Sequence, residues 1–439
     1  MHSRELEYRK VAALKPHSKN VRTHPKKQLD RLAVSIREFG FTNPILIDDS
    51  DVILAGHARW QAAKEVGIRS VPVIVVRGLS DTKKRAYVLA DNKIAELAGY
   101  DRAALAVELE ELSSILAAED LDLSVTGFDP AEIDSLLADF VDPEVDPFDE
   151  VPQVSPTAIT KKGDLWMMGD RHRLLCDDAR RADYARLMRG DQAAMGFTDP
   201  PYNVPIPKTL GRGRTKHRNF EMAAGEMSAP AFKNFLTEAL SSAAAVSVDG
   251  ALHYVCMDWR HIREMHDAGD AVYSEFKNLV VWAKTNAGQG SLYRSQHELI
   301  FVYKVGDGPH LNNIELGRHG RNRSNVWTYA GANTFRAGRM DDLAAHPTVK
   351  PVALVADAIR DASRRGDIVL DPFMGVGTTI LAAERIGRRA YGIEIDPLYV
   401  DAAIRRWQAV TKNDAVLEAT GQTFDEIAIK PLRSGRRAK

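Results

Sequence analysis

Cysteine is nearly absent from this sequence: Cys176 and Cys256 are the only two in 439 residues. Two thiols exclude a disulfide scaffold and a four-cysteine zinc site, no metal centre is expected, and the scarcity suggests a reducing compartment. Net charge is lacking too, with 59 Lys and Arg against 60 Asp and Glu and a formal balance of -1. No global field draws the protein to a polyanion, so any such attraction must come from local clusters. No apolar run approaches membrane-spanning length, and the opening MHSRELEYRK has no apolar signal core. The expectation is a soluble, cytoplasmic protein with no membrane partner. No internal repeat is evident. What the chain does have is length and a 44% hydrophobic fraction, enough for two or three packed domains.

The most informative stretch is Thr198-Asp199-Pro200-Pro201-Tyr202-Asn203, directly after the apolar run Ala193 to Phe197. That run reads as a buried strand, and two prolines force the backbone out of the sheet in a stiff, extended loop. Loops at that edge of an open α/β sheet are where ligands bind. Asp199 offers a carboxylate, Pro200 a carbonyl and Tyr202 an aromatic face. The three suit a flat ring with an exocyclic amine. A proline-stiffened strand exit with an incidental acid is the plainer alternative.

A second stretch, Ile368-Val369-Leu370-Asp371-Pro372-Phe373-Met374-Gly375-Val376-Gly377-Thr378-Thr379, reads as a strand and a glycine bend entering a helix. Glycines let the backbone approach a ligand closely. Asp371 can accept from an ammonium, and Glu394, ending the strand Ala390 to Ile393, stands where ribose hydroxyls would lie. By themselves these features fit NAD as well as S-adenosylmethionine.

Taken together, Asp199-Pro200-Pro201-Tyr202 and Asp371-Pro372-Phe373-x-Gly375-x-Gly377-Thr378-Thr379 resemble the amino-group DNA methyltransferases, the N6-adenine/N4-cytosine family. There they are the catalytic loop and the S-adenosylmethionine loop. The catalytic loop comes first in the chain, which is similar to the circularly permuted beta group. The resemblance implies a Rossmann-like, doubly wound α/β sheet, S-adenosylmethionine as cofactor and double-stranded DNA as partner. It also implies cofactor roles for Asp371, Phe373, Gly375, Gly377, Thr378 and Glu394. His346-Pro347-Thr348-Val349-Lys350-Pro351 resembles the motif flanking the methionine end of the cofactor, which brings in Lys350. Asp178, at another strand end, stands where the family accepts the adenine amine, although a helix N-cap fits it equally. Asp rather than Ser before Pro-Pro-Tyr points to adenine N6. A cytosine C5 enzyme would need a nucleophilic cysteine after proline, but Cys176 follows Leu175 and Cys256 follows Val255.

The first part of the chain reads as a smaller α/β domain. Apolar spacing predicts a helix from Lys26 to Phe39 stopped by Gly40, strands at Pro44–Ile47 and Val52–Ala55 around the turn Asp48–Asp51, and a strand over Val71–Val76. Asn43-Pro44-Ile45, Ala55-Gly56-His57-Ala58-Arg59 and Asp91-Asn92-Lys93 resemble the ParB/sulfiredoxin-like N-terminal domain. In that family the turn from Gly56 to Arg59 would contact nucleotide phosphate or DNA; a glycine turn beside a surface arginine is the alternative. Helices over Asp101–Leu116 and Asp129–Phe140 complete the module.

The expected division is 1–138, an acidic, Pro-rich linker over 139–160, a methyltransferase domain over 161–415, and a basic tail over 416–439. Two acid-free basic stretches are assigned to DNA. One carries Lys208, Arg212, Arg214 and Lys216 directly after the catalytic loop. The other carries Arg318, Arg321 and Arg323 around Trp327 and Tyr329. Target recognition is expected over about 203–220 and 285–345. Solvated basic faces, or for the second a surface β-ribbon, are the alternatives. The sequence leaves homodimer formation open.

Overall fold

The structure is a computed structural model that describes residues 5–429 apart from 98, 119–120, 122, 139–146, 151–154, 156, 205–221, 286, 288–291, 315, 317–322 and 331–348. Contacts divide the chain into two units, Met1–Val141 and Asp142–Lys439.

The first unit contains β1 (Leu6–Lys10), α1 (Lys26–Phe39), β2 (Ile45–Ile47), β3 (Ile53–Ala55), α2 (His57–Val66), β4 (Ser70–Val75), α3 (Asp81–Glu96), α4 (Arg102–Ala118) and α5 (Pro130–Ala138). The strands form a sheet in the order β1-β4-β2-β3. Their apolar residues Ile45, Ile47, Ile53, Val71 and Val73 pack with Trp60 and Ala63 of α2. The acidic turn between β2 and β3 is held by Asp48, which accepts from the Ser50 and Val52 N–H groups and from Lys84. Sequence patterning misses β1, which is half-exposed, and α3, whose only buried apolar residue is Val88. Neither has a continuous apolar face to reveal its period.

The second unit contains β5 (Leu165–Met168), β6 (His172–Cys176), α6 (Tyr184–Met188), β7 (Ala193–Thr198), α7 (Ala229–Ala245), β8 (Ser247–Met257), α8 (Ile262–Val272), β9 (Glu275–Lys284), β10 (His297–Lys304) and β11 (Val326–Tyr329). It ends with α9 (Val352–Ala362), β12 (Ile368–Asp371), α10 (Thr378–Arg385), β13 (Arg389–Glu394), α11 (Pro397–Thr411), β14 (Ala415–Leu417) and α12 (Phe424–Ile429). Among the described residues the strands form one ten-stranded sheet, β11-β9-β10-β8-β7-β12-β13-β6-β5-β14. Strands β8, β7, β12, β13 and β6 run parallel, whereas β10 is antiparallel to both β8 and β9. Helices cover both faces, as a doubly wound sheet requires. Val255 and Met257 meet α7 through Phe232, Phe235 and Leu236. On the other face Tyr254 and Cys256 share a core with α9 and α10.

Three expectations need correction. The stretch 139–160 is not wholly a free linker. Among its described residues, Phe148 and Ile159 pack on the core, and Asp401 accepts the N–H groups of Ile159 and Thr160. Nor is 416–429 a basic tail: β14 closes the sheet edge against β5, and Phe424 packs edge-on to Trp166 with ring centroids 5.3 Å apart. Trp327 lies in the core of edge strand β11 rather than on a base-reading surface. In each case one large apolar side chain finds burial that local charge obscures.

The packing of α8 on the sheet is tight at Gly269, where an added Cβ would stand 2.3 Å from the Tyr303 ring. Gly269→Ala should therefore destabilise the protein by about 1–3 kcal/mol, since a ring wedged under a helix cannot step aside. Urea unfolding with an unchanged midpoint would contradict that packing.

Candidate active site

The parallel strands bring the two sequence motifs together. Thr198 ends β7 and Asp371 ends the neighbouring β12, and the Thr198 hydroxyl donates to Asp371 Oδ1 at 2.9 Å. Thr379 donates to Asp371 Oδ2 at 2.6 Å and the Phe373 N–H to Oδ1 at 3.0 Å. On the next strand Glu394 accepts from the Gly375 N–H at 2.8 Å and from the Asp396 N–H at 2.9 Å. Asp199 follows Thr198 directly, so its loop and the glycine bend share one edge of the sheet, although 171 residues lie between Asp199 and Asp371.

Around Asp199 lies a buried charge network. Lys350 Nζ donates to Asp199 Oδ2 at 2.7 Å and to Tyr202 Oη at 3.0 Å, and it pairs with Glu298 Oε2 at 2.9 Å. Tyr202 Oη lies 2.6 Å from Asp199 Oδ1 and 3.0 Å from Glu298 Oε2, and its single proton is directed to the nearer Asp199. Lys284 binds the other oxygen of Glu298. Burial pushes Lys350 down, but Asp199 and Glu298 more than reverse this, so the ammonium stays charged. Burial also pushes Glu298 up, yet Lys350 and Lys284 prevail and hold it at about 2. Asp199 moves the other way: burial raises it despite Lys350. Of the two carboxylates, Asp199 takes up a proton more readily.

Lys350, expected only as part of the flanking motif, thus joins the network around Asp199; residues 346–348 of that motif lie outside the described residues. Glu298 and Lys284 escape sequence reasoning as site residues. The available signal was the one that marked Glu394, a charged residue at the edge of an apolar strand. Because β10 is antiparallel to β8, its first residues lie at the edge where the parallel strands end. Asn203 has φ 51°, and its side chain donates to the Met227 carbonyl and accepts from the Gly225 and Met227 N–H groups. It ties together the two ends of the segment holding Lys208, Arg212, Arg214 and Lys216, which lie outside the described residues, as do Arg318 and Arg321.

Other expected site residues are committed to the fold. Arg323 pairs with Asp357 at 2.8 Å and Asp361 at 2.9 Å and lies over the Trp327 ring, so it serves as an internal clamp rather than a free phosphate contact. Asp178 accepts from the Arg180 N–H and guanidinium, closing a local turn. In the first unit Gly56, at φ 99°, caps α2. Arg59 folds over Gly56 so closely that a Cβ there would stand 3.0 Å from its guanidinium, and it donates to the Pro44 carbonyl at 3.4 Å.

The chain's residues fit an adenosine cofactor with a cationic sulfur. Gly375 and Gly377 have φ 54° and 83°, and a Cβ at 377 would lie 2.9 Å from Ala403 Cβ, so glycine is required at 377. Glu394 keeps a lone pair on each oxygen beyond the backbone N–H it accepts, enough for two hydroxyls. Phe373 packs near Phe235 with ring centroids 5.7 Å apart, and Thr378 accepts from Arg406 at 3.1 Å. No group of three or more metal-ligating side chains occurs among the described residues. No helix among them is long and apolar enough to cross a membrane.

Burial raises Glu394 to about 7 and Asp371 to about 6, against the hydrogen bonds that each accepts. An unfolded chain would release these protons near the ordinary carboxylate values, which the folded, ligand-free protein does not. Stability from this source is complete at low pH and is lost as pH rises towards 7. Glu394→Gln should flatten the fall in Tm between about pH 5 and 8. A slope identical to that of the parent would show that Glu394 titrates normally.

A DNA methylase model of the N6/N4 type matches residues 193–405, a ParB N-terminal domain model matches 1–93, and a ParB-methyltransferase HTH domain model matches 103–162. The last identifies α4 and α5 as part of a helix-turn-helix module that patterning gave only as a helical extension. The ParB-like nuclease domain-containing protein YnaK of Escherichia coli (strain K12) is 46% identical over 81 residues, 18% of this chain and 93% of that protein. The type II methyltransferase M.HpaI of Haemophilus parainfluenzae is 25% identical over 248 residues, 53% of this chain and 73% of that protein. Among solved structures, the cytosine-N4-specific PvuII DNA methyltransferase matches with a TM-score of 0.42 and 15% identity, over 54% of this chain and 87% of that one. The chain carries an N6/N4 DNA methylase domain over residues 193–405, whose methyl donor is S-adenosylmethionine, and a ParB-like domain at its N-terminal end.

Proposed function

We propose that the second unit methylates the N6 amine of adenine in double-stranded DNA at a specific sequence, by direct transfer to a base flipped out of the helix. The observation that carries this reading is the Lys350-bound Asp199 beside Tyr202, sharing a sheet edge with the bend at Gly375 and the carboxylate of Glu394. Glu394, Gly375 and Gly377 would hold the adenosine part of S-adenosylmethionine. When bound, the cofactor supplies an electrophilic methyl on a sulfonium.

An exocyclic amine is a poor nucleophile because its lone pair is delocalised into the ring. Asp199 and the Pro200 carbonyl accept its two N–H bonds, draw the lone pair out of conjugation and fix its direction. Asp199, raised by burial, then accepts the proton that the alkylated nitrogen sheds. Lys350 stays cationic and balances the negative charge while Asp199 is ionised. The ring of Tyr202, its hydroxyl anchored on Asp199 and Glu298, offers a stacking face that offsets part of the few kcal/mol spent on base extrusion. The basic segment behind Asn203 would neutralise phosphates around that base.

Adenine is proposed over cytosine N4 on the family pattern alone, in which Asp rather than Ser before Pro-Pro-Tyr points to N6. Nucleoside digests of DNA modified by the protein should contain N6-methyladenine; N4-methylcytosine alone would overturn the base assignment. Asp199→Ala should lower turnover by at least about a thousandfold, with the dissociation constant of S-adenosylmethionine within about threefold of the parent. Retained turnover would remove Asp199 from the mechanism.

A further inference from the structure

Within the stretch that reads as linker lies a single turn, Pro147–Asp149, which is bound to two parts of the candidate site at once. Asp149 Oδ1 accepts the Val352 N–H at 2.9 Å, capping α9 two residues after Lys350. Arg406 of α11 donates to the Phe148 carbonyl at 2.8 Å and the Glu150 carbonyl at 2.9 Å. The same guanidinium reaches the Val376 carbonyl and the Thr378 hydroxyl, both at 3.1 Å. Arg406 is only 2% exposed. The Phe148 ring is covered by the Arg385 guanidinium 4.3 Å from its centroid, and Arg385 ends α10, the helix that the glycine bend begins.

We infer that residues 147–150 are a clasp that positions the methyltransferase site: through Asp149 they fix the turn carrying Lys350, and through Arg406 they fix the turn at Val376–Thr378. The physical case rests on what each contact replaces. The first N–H groups of α9 have no partner within the helix, and Asp149 supplies one from a segment some 200 residues earlier. The planar guanidinium of Arg406 fills its hydrogen-bonding directions with two pieces of backbone from the clasp and two groups from the cofactor bend. Moving one pair moves the other.

Asp149 and Arg406 are positioning residues that act through the turn at Lys350 and the bend at Val376–Thr378, and their role as stated rests on the methyl-transfer reading. The test uses the full chain and three variants: Asp149→Ala, Asp149→Asn and Arg406→Lys. Asp149→Ala should lower kcat about tenfold, because the cap is lost next to Lys350, with the cofactor dissociation constant within about twofold. Asp149→Asn keeps an acceptor for the Val352 N–H and should restore kcat to within about threefold of the parent. Arg406→Lys cannot make the four bonds from one nitrogen and should weaken S-adenosylmethionine binding about tenfold. Hydrogen exchange provides the readout that needs no turnover. Amides over 349–355 should exchange faster in Asp149→Ala but not in Asp149→Asn, and those over 376–381 faster in Arg406→Lys. A kcat loss that only follows Tm, an Asn variant no better than Ala, or parental exchange in both regions would overturn the clasp. A parent protein with no methyl transfer would instead defeat the assigned reaction and leave exchange to decide the clasp.

Discussion

The arrangement depends on one buried cation. Lys350 is 4% exposed and shared among Asp199, Glu298 and the Tyr202 hydroxyl. Two carboxylates at such a site would repel each other and be driven to protonate if left alone. With the ammonium between them, and Lys284 on the far oxygen of Glu298, the network keeps negative charge available at the sheet edge. Its asymmetry matters. Glu298 has two lysines and settles low, while Asp199 has one and remains the more basic carboxylate. A charge that is permanently satisfied supports the site, and one that is partly satisfied remains free to act.

Sheet topology makes this network possible. Strands β7 and β12, which lead into the Asp199 loop and the glycine bend, are neighbours, with chain order and spatial order uncoupled, so motifs far apart in sequence meet at one edge. The antiparallel strand β10 then contributes its beginning, rather than its end, to that same edge. This is how Glu298 reaches Tyr202. The two acidic strand ends, Asp371 and Glu394, hold the glycine bend through backbone N–H groups. The fold and the electrostatics therefore use the same bonds.

Much of this was legible in advance because it is local. Alternating and continuous apolar runs fix strands such as β7 and β12, glycine stops α1, and two prolines force the catalytic loop off the sheet. The acid, the prolines and the tyrosine of that loop, and the glycine bend with its strand-end carboxylate, are short motifs whose chemistry can be read one residue at a time. Elements without a strong period, such as β1 and α3, gave no such signal.

Partners at long range could not be read. Arg323 and Asp178 are a basic and an acidic side chain that any sequence pattern would offer to a ligand, yet each is taken up by neighbours in the folded chain. Glu298, Lys284 and Asp149 have the opposite history, ordinary charges in sequence that the fold draws into the site or against it. The sequence determined which chemical groups are available and where the backbone must bend, since both follow from residue type and near neighbours. Only the tertiary structure decided which charges pair, because a salt bridge depends on distance in space, and β-sheet order sets that distance independently of separation along the chain.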